Sequence, residues 1–409
     1  MIRAGFAALV LLGCTASPLE ALDTQLSARA AAWSSSRSLD DEKDLTPLQL
    51  WIRSSATFGH GDTRFRLYGE GWTEVQPNAT DSHTDGRLRE AYAQLSLGSF
   101  ELRGGWQIFA WGRADGINPT DNLTPRQLTF MTRDTEDQRF GTPALRGTWF
   151  SGPISMNLIW LPGFDASELP WPKQAPERHD VEPSNRVTQW ATRLELVRGD
   201  IEGSLSYFDG YDVLPSQAIM TPSSPQILVI HGRSKIAGAD FAKALGRVVL
   251  RSELAHTETA AAQPGAIFVK QPQWYVVAGG ERTFGEYLDI NLQYYYRHVD
   301  GNATPYGLPA AVQPIARVFA VTAQQYDRID HGLTLRVADQ WWNETLEASV
   351  SGVLSLERRA FLLRPMIKYR AADAWTISIG AEVFRGDDRT LYGFLKSNSA
   401  SYIELRWGF

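Results

Sequence analysis

Alternation of apolar and polar residues, sustained over segments of ten or more positions, is the feature of this sequence that most restricts its fold. Between Thr345 and Glu357, Leu346, Ala348, Val350, Gly352, Leu354 and Leu356 are apolar or small, and Glu347, Ser349, Ser351 and Ser355 fall between them. Phe361, Leu363, Ile367 and Tyr369 then alternate with Arg364, Lys368 and Arg370. Trp375, Ile377, Ile379, Ala381 and Val383 alternate with Thr376, Ser378, Gly380 and Glu382. Leu288, Ile290, Leu292, Tyr294 and Tyr296 repeat the pattern against Asp289, Asn291, Gln293, Tyr295 and Arg297. Successive side chains of a strand point to opposite faces, so a two-residue period makes one greasy face and one polar face. The polar face is too charged for a sandwich core and needs water. A closed transmembrane barrel supplies lipid outside and a wet lumen inside, with no unpaired backbone edge in the hydrocarbon. A soluble sandwich or solenoid is the rival.

Connection lengths separate the two. Tight turns at Gly59-His60-Gly61-Asp62, Gly98-Ser99, Ser151-Gly152-Pro153, Gly199-Asp200, Gly246 and Gly285-Glu286 alternate with long segments such as 110–142, 162–183 and 300–325; a tight outer turn near Glu357 is the exception. That parity marks outer-membrane barrels, whose periplasmic turns are short and extracellular loops longer. Pairing the segments predicts an all-β fold. It is a transmembrane antiparallel up-and-down barrel of about 18 strands, with 16 as the lower count, filling 22–409 as one domain. Trp33, Trp72, Trp160, Tyr207 and Tyr296 are expected at the outer rim, and Phe100, Phe284, Trp341, Trp342, Trp375 and Trp407 at the inner one. Amphipathic rings favour both membrane interfaces, so two girdles are predicted.

Composition removes other classes. A single Cys excludes a disulfide framework, a zinc ribbon and a haem attachment site. A formal net charge of −6 without a polybasic run argues against a nucleic-acid partner. Beyond the N-terminus no apolar run reaches the roughly 18 residues of a membrane helix. Residues 1–21 read as a signal peptide, with Arg3 as its positive region and Ala4 to Gly13 as an apolar stretch too short to span a bilayer. Leu19-Glu20-Ala21 is an imperfect cleavage site. Leu11-Leu12-Gly13-Cys14 resembles a bacterial lipobox, which makes Cys14 a candidate for lipidation; an incidental Cys is the alternative. The chain is expected to be exported to the outer membrane of a Gram-negative bacterium, and no plug domain precedes the first strand, which argues against a TonB-dependent receptor. Ile403, Leu405, Trp407 and Phe409 alternate with Tyr402, Glu404, Arg406 and Gly408. This ending resembles the aromatic-ended strand read by the barrel-insertion machinery. The resemblance implies that machinery as a partner through Phe409, beside outer-membrane lipid and lipopolysaccharide.

The charged insertion at 110–142 is the most distinctive stretch, running Trp111-Gly112-Arg113-Ala114-Asp115-Gly116-Ile117-Asn118-Pro119-Thr120-Asp121-Asn122 and on through Arg126, Arg133, Asp134, Glu136, Asp137 and Arg139. A connection of this length is usually functional or disordered. A barrel of about 16 to 18 strands encloses an aqueous channel that something must narrow. Folded inward, the loop would place Arg113, Asp115, Asp121, Arg126, Arg133 and Arg139 at a constriction; an outward loop meeting water or lipopolysaccharide is the alternative. Polar-face wall positions include Arg53, Arg64, Arg66, Arg103, Arg193, Glu195, Arg251, Glu253, Arg297, Arg364, Lys368 and Arg370, of which Arg103, Arg193 and Arg251 join the candidates for constriction or solute binding. Rings of charge set selectivity, and a lumen richer in Arg than in carboxylates would prefer anions. Cross-strand bracing is the plainer role for some of these charges. Together with Gly104-Gly105-Trp106-Gln107, the segment resembles the W-G-x-x-D and N-P-x-D pattern of proteobacterial outer-membrane barrels of the porin or DUF1302-like type. That resemblance implies a channel-type protein.

Other chemistry is thinner. Asp115, Asn118, Asp121 and Asn122 offer oxygens suited to Ca²⁺, but turn formation accounts for them equally, and neither a metal nor a cofactor is expected. His298 with Asp300, and Asp327 with Asp330 and His331, are the clusters a rim-located hydrolase would use; no catalysis is expected. The expected function is passive, charge-selective diffusion of small polar or anionic solutes. An outer-membrane component of lipid or polysaccharide export is the second reading, and a rim hydrolase the third.

Overall fold

The computed structural model describes residues 19–35, 44–77, 83–169, 177–181, 183, 188–220, 226–301, 308–310 and 312–408. Most of the signal-peptide segment, Cys14 and Phe409 lie outside the described residues; Leu19 to Ala21 belong to the first strand. Eighteen strands form the wall. They are β1 (Leu19–Ser35), β2 (Leu48–His60), β3 (Thr63–Gln76), β4 (His83–Leu97), β5 (Phe100–Gln107), β6 (Thr142–Ser151), β7 (Ile154–Leu161), β8 (Gln189–Arg198) and β9 (Ile201–Tyr211). The second half comprises β10 (Arg233–Leu245), β11 (Val248–Thr259), β12 (Gln273–Phe284), β13 (Leu288–Val299), β14 (Ile329–Trp341), β15 (Leu346–Ser355), β16 (Ala360–Ala372), β17 (Trp375–Arg385) and β18 (Ala400–Gly408). Each pairs antiparallel with the next, and β18 returns to β1 through Arg29↔Arg406, Ala31↔Glu404 and Trp33↔Tyr402. The wall is therefore closed, with the strand parity and count that the alternation predicts.

The two faces separate as a lipid-facing wall requires. Leu50, Ile52, Leu102, Leu158, Leu205, Leu292, Ile367 and Ile379 are exposed on the outside, while Gln49, Arg193, Asn291, Gln293, Arg297 and Ser378 are buried inside. At one end the connections are tight, and Gly199 (φ +63°) and Gly246 (φ +62°) take the left-handed conformation that a two-residue hairpin needs and a Cβ disfavours. At the other end they range from the four residues 356–359 to the insertion 108–141.

The girdles need one correction. At the short-turn rim Phe100, Phe284, Trp341, Trp342, Trp375 and Trp407 are exposed, and at the long-loop rim so are Trp160 and Tyr207. Trp33 and Trp72 are instead buried on the luminal face: Trp33 stacks on Tyr402 at 4.4 Å, and Trp72 on Phe130 of the insertion at 4.5 Å. Their parity is that of their buried neighbours Arg29 and Glu70, which settles the face whatever the chemistry of the ring.

The long loops carry a second core that the alternation does not reveal. Arg178–Val181, Ile227–Ile230, Gln217–Met220 and Ala266–Val269 form a four-stranded sheet. Helix α1 (Gln313–Thr322), opened by a proline in its first turn, packs Phe319, Ala320 and Val321 with Ala218, Ile227, Val229 and Phe268. Phe268 and Phe319 stack at 5.9 Å. Strands of four residues are too short for a period to show.

Candidate functional site

The insertion between β5 and β6 folds into the lumen and is tied to the wall at several points. Turn chemistry shapes its first half: Asp121 N–H donates to the Asn118 carbonyl (3.1 Å) and the Asn122 amide to that of Pro119 (2.8 Å). Arg113 reaches Glu195 on β8 (2.5 Å), Glu202 on β9 (3.4 Å) and Asp240 on β10 (3.2 Å). Arg193 shares Asp240 at 2.9 Å and lies 5.7 Å from the Trp111 ring centroid. Asp115 N–H donates to Gln293 on β13 at 3.1 Å. The second half docks on the opposite arc. Arg133 donates to Ser378 on β17 (2.7 Å) and faces Glu404 on β18 (3.7 Å), Asp134 pairs with Arg406 (3.0 Å), and Asp137 with Arg29 on β1 (2.6 Å). Phe130 fills the space beside Trp51 and Trp72.

Within the loop, Asp121 holds Arg139 (2.5 Å) and Arg126 (3.3 Å), and Arg139 also binds Glu136 (2.5 Å). Burial lowers the pKa of Arg139, but the two carboxylates outweigh it and raise the value above that of a free guanidinium. Burial likewise favours neutral Asp134, yet the hydrogen bonds and charges of Arg133 and Arg406 hold its pKa down at about 2. Asp121 is thus engaged by arginines. The Asn118 amide, oriented to satisfy its neighbours, donates to the Ala114 carbonyl at 2.6 Å.

The remaining wall candidates are braced pairs that make no bond to the loop among the described residues. Arg103 donates to Gln94 (2.6 Å), faces Glu101 (3.4 Å) and covers the Tyr92 ring, and Arg251 pairs with Glu281 at 2.7 Å. Arg297 pairs with Asp330, Arg364 with Glu382 and Lys368 with Glu347, at 2.8, 2.7 and 2.5 Å.

The loop's ties leave one arc of wall open. Among the described residues, β14, β15 and β16 make no hydrogen bond or ion pair with it. Here Arg336, Ser351 and Arg364 are successive cross-strand partners, so the two arginines flank the hydroxyl about 10 Å apart at their Cα atoms. A cavity of about 430 Å³ lies against the loop residues Asp115, Asn118 and Arg126, and a second of about 290 Å³ against Arg133 and Asp134. Arg336, Ser351 and Arg364 line both. Arg336 is exposed and has no ion-pair partner among the described residues; Asp115, half-buried, is the loop carboxylate that likewise has none among them. Arg336 is absent from the candidates read off the sequence, although its parity with Thr334, between Leu333, Leu335 and Val337, is the same signal that marks Arg364.

The hydrolase clusters come apart. Asp330 and His331 are successive in β14 and face opposite sides of the wall. Asp330 binds Arg297 and the Ser355 hydroxyl (2.8 Å), whereas His331 sits by the outward Tyr294 hydroxyl (3.2 Å) and Glu357 (3.9 Å). Asp327 is held by Arg358. His298 lies 3.2 Å from Asp300 at the long-loop end, with no other ion-pair partner among the described residues.

No family model matches the sequence, and no curated protein matches it. Solved structures match over nearly the whole chain. OpdK of Pseudomonas aeruginosa, solved with vanillate, superposes with a TM-score of 0.58 at 10% identity, covering 96% of this chain and 99% of that one. The fold is that of the outer-membrane porins. OccK2 (OpdF) of Pseudomonas aeruginosa, in complex with glucuronate, gives 0.57 at 10% identity over 96% and 99%. OmpF of Salmonella typhi, in complex with daunomycin, gives 0.51 at 10% over 95% and 97%.

Proposed function

We propose that this chain is an outer-membrane channel through which small anionic solutes diffuse passively, without covalent chemistry or an energy source. The observation that carries the reading is the Arg336–Ser351–Arg364 row on the arc that the loop leaves open, with Arg336 unneutralised. Guanidinium groups offer forked N–H donors matched to a carboxylate, and the intervening hydroxyl adds another donor. Asp115 on the loop repels the same solute toward the wall. OpdK with vanillate and OccK2 with glucuronate are barrels of this fold solved with small carboxylates, which supports that solute class. Export of lipid favours a wall that opens sideways, whereas here every strand is paired on both sides.

By this reading the tight-turn end faces the periplasm and the capped end the exterior. Residues 1–21 direct export, with Cys14 a candidate for lipidation. The outward apolar band meets lipid and lipopolysaccharide, and the C-terminal sequence closing on Phe409 is read by the insertion machinery. The W-G-x-x-D and N-P-x-D segment, whose Gly112, Arg113 and Asp121 all serve the inward loop, supports the finer affinity to DUF1302-like barrels. Purified, folded protein in a planar bilayer tests the channel. Ohmic steps are expected, with a reversal potential on the anion side and chloride current reduced by glucuronate. Silence of folded protein, or cation preference, overturns it.

A further inference from the structure

We infer that Glu253 is the residue that positions the loop and so sets the aperture, a wall carboxylate grasped by the loop's own backbone. The inference rests on the channel reading and adds to it a residue that touches no solute. Glu253 projects inward from β11, is 2% exposed, and no Lys or Arg side chain pairs with it among the described residues. A buried carboxylate without a counter-cation must be compensated by hydrogen bonds. Here they all come from one short stretch of the loop. The backbone N–H groups of Arg113 and Ala114 donate at 2.5 Å each, the Thr120 hydroxyl at 3.0 Å and its N–H at 3.4 Å, and the Asn118 amide at 3.3 Å.

Consecutive N–H groups around a left-handed residue make a concave anion nest. That residue is Gly112, at φ +99°, and a Cβ there would stand 2.6 Å from a Glu253 carboxylate oxygen. Glycine is thus required twice, for the backbone and for the space. Glu253 lines neither cavity. Its effect passes through the loop: the nest fixes the stretch that ends at Asp115, and hence how far that carboxylate stands from the Arg336 arc.

Single-channel recording of E253Q, G112A and E281Q tests this positioning role. Glu253→Gln turns a donor toward the nest, and Gly112→Ala drives a methyl group into the same contact from the other side. Glu281→Gln removes an equal charge from neighbouring β12, where the partner is Arg251 rather than the loop. Heat-modifiable electrophoretic mobility establishes that each barrel is folded. Unit conductance is expected to rise roughly twofold, with added open-channel noise, in both E253Q and G112A and not in E281Q. Equal conductance in E253Q and E281Q, or wild-type behaviour of G112A, overturns the inference. A silent wild type would instead overturn the channel reading, so the two failures are distinct.

Discussion

Arg336→Glu is the sharpest perturbation of the proposed aperture, because Arg336 is the luminal arginine there with no carboxylate to balance it. A unit charge acts on an ion about 5 Å away with about 0.8 kcal/mol at the dielectric constant of water. A Debye length of about 10 Å at 0.1 M salt leaves roughly 60% of that. Reversal from Arg to Glu changes the charge by two units, so an anion at the aperture is destabilised by about 1 kcal/mol, a factor of about 5 in its partition. Low-dielectric walls focus the field and make this a lower bound. The assay is the reversal potential across a bilayer under a KCl gradient; a cation gains by the factor the anion loses, so the anion-to-cation permeability ratio should fall by about 25-fold. Arg282→Glu is the matched control. Arg282 carries the same charge on the outer face at the short-turn rim, beside Phe284 at 4.6 Å, and its reversal should leave the ratio within a small fraction of wild type. A reversal potential unmoved by R336E, or moved equally by R282E, would refute the placement of the aperture on β14–β16.

Three further outcomes are expected. Asp115→Asn removes one unit of opposing charge, shifts anion and cation about twofold each in opposite directions and should raise the same ratio about fivefold; a fall would place Asp115 away from the ion path. Asp134 has a folded pKa of about 2 against 3.8 for the free group, so its contribution to docking the loop is complete above about pH 4 and is lost as pH falls through about 2. Open-channel noise should accordingly stay flat from pH 7 to 4 and grow below, and growth already near pH 6 would implicate another group. Phe319→Ala empties the ring packed on Phe268 and should destabilise the cap core by about 3–5 kcal/mol. Trypsin should then cut after Arg317 of α1 sooner than in wild type while the barrel keeps its heat-modifiable mobility, and an unchanged cleavage rate would show that this core does not hold the helix.

The barrel is legible in the sequence because lipid imposes a rule on every second residue, and Leu346 to Leu356 obey it whatever the rest of the chain does. The inward insertion is legible for a related reason: a long charged connection has few places to go, and its Gly112 and Asn118-Pro119 are turn residues by type. Pairing is a different matter. Arg251, Arg297 and Arg364 look alike in the sequence, yet Glu281, Asp330 and Glu382 neutralise them across strands whose register the sequence does not print. Arg336 has the same parity and the same chemistry, and differs only in what stands opposite: its cross-strand partners are Ser351 and Asn291 rather than a carboxylate. Trp33 and Trp72 teach the same point, since a ring type suggested the membrane rim while register placed both inside. Selectivity of such a tube is therefore a remainder, the charge left after inward side chains have cancelled one another. A count of luminal arginines overstates it, because most of those arginines hold the wall and the loop together, and the few left unpaired are the ones a passing anion meets.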